Sequence, residues 1–143
     1  MFHKKKICPN TGLLLLRLAL GAIFIFHGTQ KWALWQAGAG AGMSDNMLML
    51  MKALSIIEPL AGLAVILGIF TCWASVLLAL VMIGAIYTKI TVMKLGFSTP
   101  TGAGWEFDFI LLAASLCLMM SGAGKISLDN KCCKEEEALP PSA

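Results

Sequence analysis

Residues 47–69 read MLMLMKALSIIEPLAGLAVILGI, with Lys52 and Glu58 as the only charged side chains. A membrane-spanning helix needs about 20 mostly apolar residues. Backbone groups inside hydrocarbon have to be satisfied within the segment, so such a stretch reads as a helix and not as an open strand. The same stretch places Glu58 directly before Pro59. Proline removes a backbone donor and clashes with the carbonyl four residues back, here that of Ser55, so a kink is predicted beside this carboxyl group.

Three more stretches of this kind lie on either side. The predicted helices are Gly12–Gln30, Met47–Ile69, Trp73–Lys89 and Trp105–Ser121. Only a tight turn around Phe70, Thr71 and Cys72 separates the second from the third, which predicts antiparallel neighbours. The expected fold class is all-α, a bundle of four transmembrane helices. The bulk numbers agree: 143 residues, 58% hydrophobic and 13% charged, with a mean hydropathy of +0.80. A chain this short has room for one domain. It divides into an N-terminal tail (1–11), a membrane domain (12–129) and a polar C-terminal tail (130–143) that carries Glu135-Glu136-Glu137 and Pro140-Pro141 and reads as disordered. The first loop, Trp32 to Asn46, is rich in Gly and Ala and reads as flexible, with Trp32 and Trp35 at headgroup level.

Lys4-Lys5-Lys6 before an apolar run imitates a secretory signal. Arg17 interrupts that run, and His27, Gln30, Lys31 and two tryptophans separate it from the small residues, so it reads as a retained helix. An even helix count puts both ends on one side. Six lysines there (Lys4, Lys5, Lys6, Lys125, Lys131, Lys134) against four on the other (Lys31, Lys52, Lys89, Lys94) predict cytoplasmic termini in a multi-pass protein of the cell (plasma or inner) membrane. The net charge of +3 is explained by these flanking lysines and does not point to nucleic acid. The five cysteines include no C-x-x-C pair, which leaves no zinc or thioredoxin-type signal. Cys72 and Cys117 read as small packing residues, and Cys8, Cys132 and Cys133 as free thiols in a reducing compartment. Met43, Met47 and Met51 read as an apolar stripe. A single histidine within the helices, His27, cannot supply a bis-histidine haem site, and no cofactor motif or metal site is evident.

Chemistry is expected where charge meets lipid. Arg17 lies well inside the first helix, where an arginine costs about 2.5–3.5 kcal/mol on insertion scales. Ten Leu, Ile and Phe residues between Leu13 and Phe26 offset that cost, yet the guanidinium still needs a partner or a route to the headgroups. Glu58 is too short to reach the interface. It is either protonated, paired with Arg17, or paired with a group near His27. The readings open for it are a structural hydrogen bond and a proton-handling or ligand-binding carboxyl group. His27 and Lys31 share a helix face, and Glu106 and Asp108 open the fourth helix, where acidic residues also suit the helix dipole. These four are predicted at similar depth and could close a polar pocket. Gly21, Gly28 and Gly62 suggest where helices approach closely.

Arg17-Leu18-Ala19-Leu20-Gly21, followed by His27-Gly28 and Lys31, resembles the first-helix signature of DoxX-family membrane proteins. Glu58 with Gly62, Leu67-Gly68 and Thr71 resembles their second helix. Gly104 with Glu106, and Gly122-Ala123-Gly124-Lys125-Ile126-Ser127-Leu128-Asp129, resemble their fourth. The match runs from about Leu14 to Asp129. Ala123 departs from a frequent proline and Trp73 from a frequent arginine. The resemblance implies a four-helix membrane bundle. Some family members are subunits of thiosulfate:quinone oxidoreductases, and others accompany redox enzymes or metal-stress operons. It carries over Arg17, His27, Lys31, Glu58 and Glu106 as motif positions.

Two functional readings follow. In the first, the protein is a membrane subunit or accessory of a quinone-linked oxidoreductase. A quinone would bind between helices at a polar site drawn from Arg17, His27, Lys31, Glu58, Glu106 and Asp108, and a redox partner protein would complete the electron path. In the second, it is a non-enzymatic scaffold, assembly factor or small-solute carrier. The bilayer is the expected partner in both, and a homo-oligomer is compatible with both.

Overall fold

The structure, a computed structural model, describes residues 9–37, 44–100, 102 and 104–129. Among them are four long helices: α1 (Pro9–Gln30), α3 (Asp45–Leu67), α4 (Thr71–Thr91) and α5 (Glu106–Ser121). After α1 the chain continues as a 3-10 turn (Lys31–Ala33) and a four-residue helix, α2 (Leu34–Ala37). No strand occurs among the described residues. Three candidate spans are long and apolar enough to cross a bilayer: Asn10–Gln36, Asp45–Leu67 and Thr71–Thr91. The fourth predicted helix, Trp105–Ser121, is found within one residue as α5, but it is short for a span. α5 has 16 residues, about 24 Å at 1.5 Å per residue, against a hydrocarbon core of about 30 Å. Gly122, at φ 70°, breaks it.

Local chemistry sets the helix ends. Ser44 caps α3, its hydroxyl accepting from the Met47 N–H at 3.4 Å, with Asp45 in the first turn. The α3 helix stops at Gly68, which takes the left-handed conformation (φ 70°). The N–H groups of Gly68 and Ile69 return to the Ala64 carbonyl at 2.9 and 3.0 Å. Three residues, Gly68 to Phe70, then lead into α4.

α1 packs along α3, and α4 along α5. The first contact is backbone on backbone: a methyl group on Gly62 would stand 2.8 Å from the Gly21 carbonyl oxygen. The predicted role of these two glycines therefore holds. Leu20, Phe24, Val65, Leu78, Met82 and Leu118 form the interior. Outward faces stay apolar, with Leu60, Leu80, Ile110 and Met120 all more than half exposed. An outer surface of this kind suits lipid and not water.

Candidate functional site

Pro59 organises one end of the site. It has no N–H, so the Ser55 carbonyl lacks its helical donor. The Trp32 indole N–H donates to that carbonyl at 3.0 Å. The Trp35 indole N–H donates to the Ser55 hydroxyl at 2.9 Å, which itself donates to the Lys52 carbonyl at 2.6 Å. Gly28 faces the Pro59 ring with no space for a side chain. Residues 32–37, expected as part of a flexible loop, are thus folded back on α3. The two tryptophan rings stay more than half exposed, but their polar tips are committed to the protein. Residues 38–43, Met43 among them, lie outside the described residues, as do Cys8, Cys132 and Cys133.

This turn carries Lys31 onto Glu58. The Lys31 ammonium group pairs with Glu58 Oε2, and the Glu58 side chain is 3% exposed. A second pair faces it from the other helices. Lys89, near the end of α4, lies 2.6 Å from Asp108 Oδ2 in the first turn of α5. Oδ2 accepts no aligned hydrogen bond, so the contact is an ion pair only. Lys89 also donates to the Gly104 carbonyl at 3.1 Å. His27 stacks on Phe107, with ring centroids 5.6 Å apart.

Between the two pairs lies a cavity of about 530 Å³. His27, Lys31, Glu58, Thr88 and Asp108 give it polar groups, and Phe24, Leu54, Val81 and Leu111 are among its apolar walls. Lys31, Glu58 and Asp108 line it, and Lys89 stands behind Asp108 as its counter-ion, so the formal charges of the two pairs cancel. The site therefore suits a neutral ligand with a polar head better than a free ion. Among the described residues no group of three or more His, Cys, Asp or Glu side chains could hold a metal.

Arg17 and Glu106 belong elsewhere. Arg17 does not pair with Glu58; its guanidinium is buried in the protein beside the α3–α4 turn. It is 1% exposed and donates to four carbonyl oxygens: Val65 (2.8 Å) and Ile66 (2.7 Å) in the last turn of α3, and Ala123 (2.8 Å) and Ile126 (2.7 Å) after α5. The last carbonyls of a helix have no internal donor, and a guanidinium has five N–H groups to offer. Gly68 leaves room for it, because any side chain there would strike the guanidinium. Asp129 completes this end, accepting the N–H groups of Phe70 (2.8 Å) and Thr71 (2.9 Å) at the start of α4. Glu106 turns toward the preceding loop, where Ser98 donates to it at 3.2 Å. The cavity thus gathers His27, Lys31, Glu58 and Asp108 from the expected set, and leaves out Arg17 and Glu106.

Sequence reasoning missed Lys89 and the tryptophan bonds. Lys89 resembled any lysine flanking a membrane helix. The tryptophans carried a usable signal, since a proline inside a helix always frees the acceptor four residues before it.

The DoxX family model matches residues 12–91. "Putative oxidoreductase CatD" of Bacillus subtilis (strain 168) is 35% identical over 122 residues, covering 82% of this chain and 84% of that protein. An "Uncharacterized protein" of Haemophilus influenzae (strain ATCC 51907 / DSM 11121 / KW20 / Rd) is 30% identical over 122 residues, covering 83% and 89%. No solved structure gives a significant match. The family model covers more than half of the chain, and both relatives align along most of it. The chain belongs to the DoxX family.

Proposed function

We propose that this protein is a membrane subunit or accessory of a quinone-linked redox system, and that the cavity between the ion pairs receives a quinone head group. In this reading four helices cross the cell membrane with antiparallel neighbours, and both termini are cytoplasmic. The apolar outer face of α5, with Ile110 and Met120 exposed, supports counting it among them. The observation that carries the reading is the Lys31–Glu58 pair opening onto an apolar cavity. The oxidoreductase name of one relative favours the same class.

The residues fit a quinone. Its carbonyl oxygens accept hydrogen bonds, and Lys31 and His27 are donors that line the cavity. A bound quinone would supply the electron-accepting chemistry, which the chain's own side chains lack. Lys31 would hold a head-group oxygen. Glu58, beside it, would relay the proton that accompanies electron transfer. Saturable quinone binding by the purified protein, weakened in Glu58→Gln and His27→Ala, is the expected result. Wild-type affinity in both variants would remove this site.

A specific observation supports the second reading, a non-enzymatic scaffold. Arg17, Glu58 and Asp108 all have partners within the chain, which is what holding helices in register requires. The same two variants would then lower stability or partner recovery and leave quinone binding untouched.

A further inference from the structure

The cavity's walls are unevenly covered. On the α1 and α5 sides, Phe24, Asp108 and Leu111 are 1%, 7% and 5% exposed. On the α3 and α4 sides Glu58 and Met82 are also buried, but Leu50, Leu80 and Tyr87 line the same cavity and are 52%, 60% and 66% exposed. Gly84, between the last two, also lines it, is exposed, and would meet nothing within 4 Å if it carried a methyl group. The cavity therefore reaches the outer surface between α3 and α4. That surface is apolar and belongs to helices of membrane-crossing length.

We infer that the cavity opens sideways into the lipid between α3 and α4, and that its ligand is a membrane-dissolved amphiphile with a compact polar head and a long apolar tail. The inference rests on the proposed quinone reading and selects the tailed members of that class. The head lies against Lys31, Glu58 and His27, and the tail leaves past Leu80, Gly84 and Tyr87. Depth is consistent with this. Counted from the turn at Gly68 to Phe70, Glu58 lies nine residues before the end of α3 (67 − 58) and Leu80 nine after the start of α4 (80 − 71). The polar end of the site and the near lip of the opening are therefore about equally far from the turn. From Leu80 to Tyr87 the opening runs seven residues along α4, about 10 Å at 1.5 Å per residue. A wholly water-soluble ligand would have no use for an opening in this wall.

The test compares two quinones with the same dimethoxy-methyl head, one bearing a decyl tail and one bearing none. Binding is measured on protein in phosphatidylcholine nanodiscs. Gly84→Phe narrows the opening, and the open space around Gly84 lets the variant fold. Leu80→Trp repeats the test at the lip, and Leu63→Phe, exposed on α3 away from the cavity, is the control. Gly84→Phe and Leu80→Trp are expected to weaken the tailed quinone at least tenfold more than the tailless one, with Leu63→Phe changing neither. Equal losses for both quinones, or no loss in either variant, would overturn the lateral route and leave the head-group site standing. Binding of neither quinone by the wild-type protein would overturn the proposed function itself, and the route with it.

Discussion

Trp32 donates its indole N–H to the backbone carbonyl of Ser55 at 3.0 Å, the acceptor that Pro59 deprives of its helical partner. The bond ties the turn after α1 to the proline-containing part of α3, and it is this turn that delivers Lys31 to Glu58. Removing the donor leaves a carbonyl without a partner in apolar surroundings. Trp32→Phe is expected to cost about 1 kcal/mol of stability. Pro59→Ala restores an N–H four residues after Ser55, so in that background Trp32→Phe should cost clearly less. Thermal unfolding of the double-mutant cycle in detergent measures the coupling, and equal costs in both backgrounds would refute it.

Arg17 cannot be replaced by another cation. Lysine offers three donors on a flexible stem, in place of a rigid fork with five. Hydrogen bonds to charged groups contribute about 1.5–3 kcal/mol each, and Arg17→Lys should lose at least two of four, so a drop of about 3 kcal/mol is expected. Amide exchange of residues 123–126 should speed up at the same time. Wild-type exchange there would show that other contacts hold the segment.

The Lys31–Glu58 pair separates the two functional readings. Breaking a buried pair by removing one partner costs about 3–5 kcal/mol, whereas replacing both by apolar residues is often neutral. Lys31→Met alone should therefore destabilise strongly, and Lys31→Met with Glu58→Met should recover most of the loss. A redox subunit would lose quinone binding in the double variant despite the recovered stability. A scaffold would regain everything it had. Unfolding temperature and quinone affinity, read on the same samples, decide between them.

Two helical glycines should respond to the same substitution with opposite signs. At Gly62 a methyl group meets the Gly21 carbonyl oxygen at 2.8 Å, so Gly62→Ala should cost about 1–3 kcal/mol through overpacking. At Gly84 it meets nothing within 4 Å, so Gly84→Ala should gain up to about 1 kcal/mol from helix propensity. Matching shifts in unfolding temperature would contradict the α1–α3 contact.

Apolar run length placed the long helices within a few residues, because burial in lipid demands nearly continuous apolar sequence. α5 was placed within one residue, with Trp105 as its N-cap and its ring edge-on to Phe97 at 4.6 Å, but run length alone did not show that this helix is short for a span. At the site, Glu58 beside Pro59 was legible as a polar group deep in a span, but its partner was not. Protonation, pairing with Arg17 and pairing with a group near His27 were all open to the sequence argument, and the fold of residues 31–37 decided for Lys31. Arg17 misled for a clear physical reason. Its partners are backbone carbonyls between 48 and 109 residues away, and no side-chain pattern announces which carbonyls a helix end leaves free. Asp108 read as a helix-dipole residue; its ion pair with Lys89 depends on how α4 and α5 meet.

Asp129 caps the first turn of α4 from a position 58 residues further along the chain. A ribosome therefore finishes α4 well before it makes the carboxylate that closes it. While α5 is still being synthesised, the amide hydrogens of Phe70 and Thr71 have to be hydrated or find substitute acceptors, and Arg17 lacks two of its four carbonyls. This end of the molecule locks only as translation passes residue 129, so a nascent chain stalled at Ser121 would hold its long helices without the latch that joins them.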